Sequence, residues 1–222
     1  METKWYSDFF QLLVHPFSKG IDQIVEFGTL KKGFWCTVFF WAIPYLLLAL
    51  FGTMLIPPLL PRNEITNTFL MVLTFAGVAF VLIWFLGILL SFIGVAIYSY
   101  IFNWVVKKMG GTDNVNAVMK VNWYLEGYGV LFGTAFYVLL AISAGILVGF
   151  FDAPTLFVVV FSISFIGMLV IMIWVSLALM GKQVMLSKLK VFLACVITSL
   201  IILIIYALFI ALLNGCASLV GR

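Results

Sequence analysis

The sequence predicts an all-α, polytopic membrane bundle of five transmembrane helices, from its composition, five long apolar runs and the placement of its lysines. Of the 222 residues, 65% are hydrophobic and 9% are charged, whereas a soluble domain carries about 25% charged residues. The pI of about 9.0 arises from lysines between the apolar runs, so it does not indicate a nucleic-acid partner. We therefore expect an integral membrane protein whose first partner is the lipid bilayer.

Five apolar runs are long enough to cross a bilayer, because a span needs about 20 residues to cover a core of ~30 Å. They cover residues 34–56, 69–106, 123–150, 155–181 and 191–214. These runs form a transmembrane domain, 34–214, between an N-terminal segment, 1–33, and a tail, 215–222. We expect no separate soluble domain, because no segment outside the runs is long enough to fold alone. We also expect no cleavable signal peptide, because the first run begins too late.

The chain has twelve basic residues, and their positions predict its orientation. In membrane proteins, lysine and arginine are enriched in cytoplasmic loops. With five spans and a cytoplasmic N-terminus, only Arg62 and Arg222 face outward. The other ten face the cytoplasm: Lys4, Lys19, Lys31, Lys32, Lys107, Lys108, Lys120, Lys182, Lys188 and Lys190. The predicted topology therefore has the N-terminus in the cytoplasm and the C-terminus outside the cell or in a lumen.

The second apolar run is about twice the length of a minimal span, and residues 65–106 carry no charge. Dividing it into two spans would place Lys107 and Lys108 on the outer side, against the positive-inside bias. Gly87 and Gly94 are single glycines in apolar sequence and provide no turn. The sequence therefore predicts one long helix that is kinked or strongly tilted, or that extends beyond the bilayer.

Segment 1–33 is predicted to form two amphipathic helices, because its apolar residues recur at helical spacing. Asp8 is assigned to the polar face of the first helix, and Pro16 to the first turn of the second. Gly28 is predicted to end the second helix, and Thr29 to cap the helix of span one. The apolar positions are Trp5, Phe9, Leu12 and Leu13, then Phe17, Ile21, Ile24 and Val25. The pair lies either on the inner membrane surface, for lipid sensing or membrane bending, or against the bundle as a packed cuff.

The cytoplasmic loop after span two has a lysine-flanked glycine turn, which makes it a candidate surface for partners. Its residues are Lys107, Lys108, Gly110 and Gly111. Thr112 or Asp113 is predicted to cap the short helix that leads into span three.

Span three carries small residues at intervals of four, a pattern that lets helix backbones approach closely in lipid. They are Gly129 and Gly133, followed by Ala141, Gly145 and Gly149. Because each step of four drifts by about 40° on the helix, they form two adjoining patches. The pattern predicts helix packing within the chain, with a homo-oligomer contact as the alternative.

The sequence offers little catalytic chemistry, and we predict no catalytic, cofactor-binding or metal-binding residues. His15 is the single histidine, so neither a zinc site nor a serine–histidine–aspartate triad can be built. Cys36, Cys195 and Cys216 lie at different predicted depths, so they are interpreted as packing residues, not as a disulfide framework.

Two acidic residues lie near membrane depth, where carboxylates are functional candidates. Glu126 is the possible intramembrane polar site, although it is near enough to the interface to reach water or Lys120. Asp152 precedes Ala153-Pro154 and is interpreted as a turn residue or helix cap.

Several segments together resemble the Yip-domain family of five-span membrane proteins. The segments are His15-Pro16-Phe17, Gly28-Thr29-Leu30, the Gly110-Gly111 turn, a third span opening near Tyr124, and Trp174-Val175-Ser176-Leu177-Ala178-Leu179-Met180-Gly181 before a Lys/Ser loop. The resemblance implies a five-helix fold without catalytic residues. Eukaryotic members of that family interact with Rab-type GTPases, and the short N-terminus here is similar to the prokaryotic branch.

Two functional hypotheses follow. The first is a non-enzymatic, Yip-like membrane organiser or adaptor whose cytoplasmic loops bind another membrane or cytoplasmic protein. The second is a small transporter, channel or lipid-translocating protein, either as a single chain or as an oligomer. A polar cavity lined by Glu126 would favour the second hypothesis, and a closed apolar bundle would favour the first.

Overall fold

The computed structural model describes residues 4–55 and 65–220, with side chains for 4–47, 77–212 and 214. Over these ranges the secondary structure is helical and contains no strand. The end of the first predicted span at Ile56, the outward-facing Arg62 and Arg222, and the side chain of Cys216 lie outside the described residues.

Seven α-helices follow one another within residues 4–55 and 65–220. They are α1 (Trp5–Val14), α2 (Lys19–Phe27), α3 (Leu30–Leu55), α4 (Ile65–Lys108), α5 (Val115–Ala144), α6 (Pro154–Val184) and α7 (Lys188–Val220). A π-helical segment, Gly145–Phe150, continues α5.

Four helices contain stretches that are long and apolar enough to cross a membrane. These are Gly77–Lys108, Val115–Phe150, Pro154–Val184 and Lys188–Leu212. Helix α3, which carries the first predicted span, is not among the four found in the described residues. The chain is thus a helical bundle of an integral membrane protein.

One uninterrupted helix, α4, occupies the long second apolar run. It has 44 residues, which correspond to about 66 Å at 1.5 Å per residue. That length exceeds a hydrocarbon core of ~30 Å, so α4 has room both to cross a bilayer and to project from it.

The connections between helices match the sequence in part. Thr29 caps α3 as predicted, because its Oγ1 accepts a hydrogen bond from the Lys32 amide at 3.2 Å. Pro16 lies in the turn before α2, and not in its first helical turn. Asp152 lies in the turn before α6, with a left-handed φ of 47°, and Pro154 occupies the first turn of α6.

The core lies at one end of the bundle. We call this region the packed end. It consists of α1, α2 and the first part of α3, together with residues 95–108 of α4, 115–128 of α5, 175–184 of α6 and 188–198 of α7. All the described buried residues lie there, including Phe102, Tyr124 and Leu179. The remaining lengths of α4 to α7, which we call the open end, contain no buried residue among those whose side chains are described. The amphipathic helices therefore pack against the bundle, as the cuff interpretation requires.

Glycines allow α3 and α5 to approach closely at the packed end. A Cβ on Gly127 of α5 would lie 2.9 Å from the Cys36 Sγ of α3, and one on Gly33 would lie 2.9 Å from Trp123 Cβ. The Thr37 hydroxyl donates a 2.6 Å hydrogen bond to the Trp123 carbonyl. Cys36 and Cys195 are free thiols.

Candidate functional site

A buried ion pair joins the N-terminal helices to the bundle. The carboxylate of Asp8 is fully buried and lies 3.1 Å from the Lys32 ammonium. It also accepts hydrogen bonds from Gln23 Nε2 at 3.0 Å and from the Tyr124 hydroxyl at 3.5 Å. Helices α1, α2, α3 and α5 therefore meet at one carboxylate.

The assignment of Asp8 to the polar face of α1 is wrong. A spacing of three from Trp5 and four to Leu12 places Asp8 on the same helical face as the core residues. Phe9 and Leu12 of that face are buried with it. A buried carboxylate needs a partner. The position of Asp8 on the helical wheel therefore indicated an ion pair, which the prediction missed.

Two further lysines attach α2 to the spanning helices. The Lys120 ammonium of α5 donates to the Val25 carbonyl at 3.1 Å. Lys182, near the end of α6, forms an exposed ion pair with Asp22 of α2. The cuff therefore contacts the membrane domain through charged groups as well as through apolar packing.

The loop between α4 and α5 is ordered by its own polar contacts. The Asp113 carboxylate accepts hydrogen bonds from Lys107 Nζ at 2.6 Å and from Asn103 Nδ2 at 2.8 Å. The Lys107 ammonium, with the Asn103 amide, lowers the pKa of Asp113 below its usual value. The Thr112 amide donates to the Val184 carbonyl at 3.1 Å, which ties the loop to α6.

The glycine turn forms as predicted, but the predicted cap is wrong. Gly110 has a positive φ of 84°, and a Cβ on Gly111 would lie 2.5 Å from Val106 Cγ1. Asn114, not Thr112 or Asp113, caps α5 by accepting from the Ala117 amide at 3.0 Å. The two predicted cap residues are instead used in the contacts to α4 and α6. Lys108 is exposed beside this turn.

Glu126 lies in a mostly apolar cleft between α4 and α5. Its Oε1 accepts a 3.1 Å hydrogen bond from the indole of Trp41 in α3. Lys120, the expected neighbour, is used by the Val25 carbonyl instead. The cleft has a volume of about 350 Å³ and is also lined by Ser91, Tyr98 and Asn122.

The small residues of span three differ in how closely other helices approach them. Gly129 lies near α6, where a Cβ would be 3.1 Å from Met172 Cε. At Gly133, Gly145 and Gly149, no atom of the described residues comes within 4 Å of such a Cβ. Among the described residues, the close packing that the pattern predicts is therefore not found at these three glycines. Ala141 lines an apolar groove of about 530 Å³ with Pro44 of α3.

Among the described residues, no group of three or more histidine, cysteine or acidic side chains is arranged to hold a metal ion. Comparison of the chain with protein families, curated proteins and solved structures finds no match.

Proposed function

We propose that the chain is a five-span membrane organiser or adaptor, similar to Yip-domain proteins, that acts without catalysis. Its N-terminus lies in the cytoplasm and its C-terminus lies outside or in a lumen. The distribution of lysines supports this orientation. In it, the packed end, with the ordered loop after α4, faces the cytoplasm and is available to a protein partner.

One observation carries the organiser proposal: α1 has apolar residues on two faces. The inner face packs on the bundle through Phe9 and Leu12. On the opposite face Tyr6, Phe10 and Val14 remain 52%, 63% and 51% exposed. An outward apolar face on a short helix beside a spanning bundle is typical of interfacial helices, which insert into one leaflet.

The first residue of α1 lies beside an exposed apolar residue of α3. The Trp5 ring lies 5.4 Å from the ring of Phe39, which is itself 54% exposed. Phe39 lies nine residues into α3, about 14 Å along its axis. Because α3 is the proposed first span, α1 lies at the depth of the inner leaflet. The buried Asp8–Lys32 pair holds it there, so α1 adds volume to one leaflet only.

Depth-dependent quenching tests the placement of α1. Phe10→Cys, in a background of Cys36→Ala, Cys195→Ala and Cys216→Ala, is labelled with an environment-sensitive fluorophore in liposomes. We expect quenching by shallow spin-labelled lipids and protection from aqueous iodide. Glu26→Cys, on the exposed side of α2, is the matched control and should behave oppositely. Equal iodide quenching at both positions would contradict the interfacial placement.

The topology has its own test. Cys216, in a Cys36→Ala, Cys195→Ala background, should react with an impermeant maleimide in sealed, right-side-out vesicles. Reaction only after permeabilisation would overturn the five-span orientation and favour a division of the second run into two spans.

The carboxylate of Glu126 in this cleft is the one feature that favours the alternative, a small transporter, channel or lipid-translocating protein. Charge at the bilayer centre costs at least about 2.5 kcal/mol unless several groups converge on it, and Glu126 is the one acidic residue that lines this cleft. We therefore expect liposomes with the purified protein to pass protons, potassium and fluorescent lipid no faster than empty ones. Flux that is lost in Glu126→Gln would replace the organiser with the transporter.

A further inference from the structure

The cleft between α4 and α5 presents hydrogen-bond acceptors on an otherwise apolar surface. Ser91, Gly94 and Tyr98 lie along one side of α4, and Asn122, Leu125 and Glu126 along the facing side of α5. Both helices are candidate membrane spans. A ligand in this cleft is therefore reached from the bilayer.

The Glu126 carboxylate lacks a cationic partner in the described part of the chain. The three ion pairs found there use Asp8, Asp22 and Asp113. Its hydrogen bond from the Trp41 indole satisfies one oxygen, and an indole N–H carries no full charge. Because an unpaired carboxylate at membrane depth is costly, the site favours a positively charged ligand.

The neighbouring polar groups also accept more than they donate. Asn122 uses its Nδ2 on Ser99 Oγ at 2.8 Å, which leaves its side-chain carbonyl as an acceptor. The Tyr98 hydroxyl is engaged with Cys195. Ser91 adds a hydroxyl that also accepts. The Glu126 carboxylate, the Asn122 carbonyl and the Ser91 hydroxyl together supply three acceptors, which match the three N–H donors of a primary ammonium.

We propose that this cleft binds the ammonium headgroup of a phospholipid that carries a primary amine. The volume of about 350 Å³ suits a headgroup and excludes a protein segment. A quaternary headgroup such as choline has no N–H donor, so it would leave the acceptors of Glu126 and Asn122 unpaired. That difference selects ethanolamine-type over choline-type lipids. The proposal does not depend on the organiser function.

The test measures lipid binding to the purified, full-length protein in detergent by native mass spectrometry. Phosphatidylethanolamine, phosphatidylcholine of the same acyl chains, and free ethanolamine are each titrated. We expect the wild type to prefer phosphatidylethanolamine over phosphatidylcholine by about tenfold, which corresponds to about 1.4 kcal/mol. Free ethanolamine should neither bind nor compete at the same concentration.

Two variants and one control assign that preference to the cleft. Glu126→Gln removes the charge and should abolish the preference. Gly94→Leu fills the cleft, and a Cβ there meets no described atom within 4 Å, so this variant should fold normally and lose binding. Glu26→Gln makes the same chemical change at an exposed position of α2 and should retain the preference.

Three outcomes would overturn the proposal. The first is equal binding of the two lipids by the wild type. The second is an undiminished preference in Gly94→Leu, which decides the matter if Glu126→Gln does not fold. The third is binding of free ethanolamine as tightly as the lipid, which would assign the site to a soluble amine.

Discussion

The two ends of the bundle differ in how completely their large side chains are buried. At the packed end, large side chains such as Phe102, Tyr124 and Leu179 are fully buried, and the carboxylate of Asp8 is buried with them. At the open end, side chains such as Leu82 and Ile163 remain more than half exposed, although they are equally apolar.

This difference follows the distribution of charged groups. Lipid tails are as apolar as leucine, so spanning helices gain little hydrophobic free energy by burying such side chains against each other. The packed end and its loop contain the ion pairs of the described residues, so the helices there must pair their polar groups as well as bury apolar surface. The resulting arrangement positions α1, the loop after α4 and the cleft at Glu126.

The largest expected effect comes from removing the cation of the buried pair. Lys32→Met leaves the Asp8 carboxylate without its ammonium, so we expect unfolding to become easier by about 3 kcal/mol. Thermal unfolding in detergent, followed by tryptophan fluorescence, measures this loss. Lys182→Met breaks the exposed pair with Asp22, whose side chains are both 51% exposed, and should cost at most about 1 kcal/mol.

A double variant separates charge from packing at the same site. Asp8→Asn combined with Lys32→Met leaves no charge buried but keeps an acceptor for Gln23 and Tyr124. It should recover most of the stability lost in Lys32→Met. A double variant as unstable as Lys32→Met alone would show that the lysine acts through its packing.

A smaller effect compares glycines at the two ends. Gly127→Leu forces a side chain against Cys36, and overpacking of this kind costs typically about 1–3 kcal/mol. A Cβ on Gly145 meets no described atom within 4 Å, so Gly145→Leu should change stability by no more than about 0.5 kcal/mol. The same unfolding measurement in detergent checks both variants.

Equal losses in the two glycine variants would mean that Gly145 is packed by a second copy or by a part of the chain outside the described residues. A loss in Gly145→Leu that accompanies a fall in oligomer mass would identify that contact as a second copy, the alternative that the small-residue pattern leaves open.

The smallest expected effect concerns the loop after α4. Because contacts with Lys107 and Asn103 lower the pKa of Asp113 in the folded protein, its stabilising contribution is fully present above the usual value of 3.8. It is lost as the pH falls through the folded-state pKa. Asp113→Asn should therefore lose less stability than the wild type on acidification below about pH 4. Melting temperatures of both proteins between pH 6 and pH 3 test this, and identical acid profiles would contradict it.

Local signals in the sequence predicted much of the helical framework. The long apolar runs indicated the spanning helices because backbone groups in lipid must pair within a helix. Thr29 indicated the start of α3, and the glycine pair at Gly110 indicated the turn after α4, because caps and turns depend on a few neighbouring residues. The amphipathic pattern of residues 5–25 likewise indicated α1 and α2.

The errors fall where distant residues decide the outcome. Asn114 caps α5 because the Asp113 carboxylate instead binds the side chains of Asn103 and Lys107 in α4. The spacing of small residues in span three could not show that Gly127 contacts α3 whereas no described atom lies near Gly145, since that depends on where α3 crosses. Glu126 was recognised as an intramembrane acid, but its partner, Trp41, lies 85 positions away.

By itself the sequence determined that this is a helical membrane protein and where most of its helices begin and end, because hydropathy, caps and turns act over one or two helical turns. Tertiary structure alone decided that the core gathers at one end, that Asp8 is buried against Lys32, and that Glu126 shares a cleft with Asn122 and Ser91. These features depend on which helix faces meet in space. In lipid, the few polar groups and the close backbone contacts determine which faces meet, because the apolar pattern is common to every span.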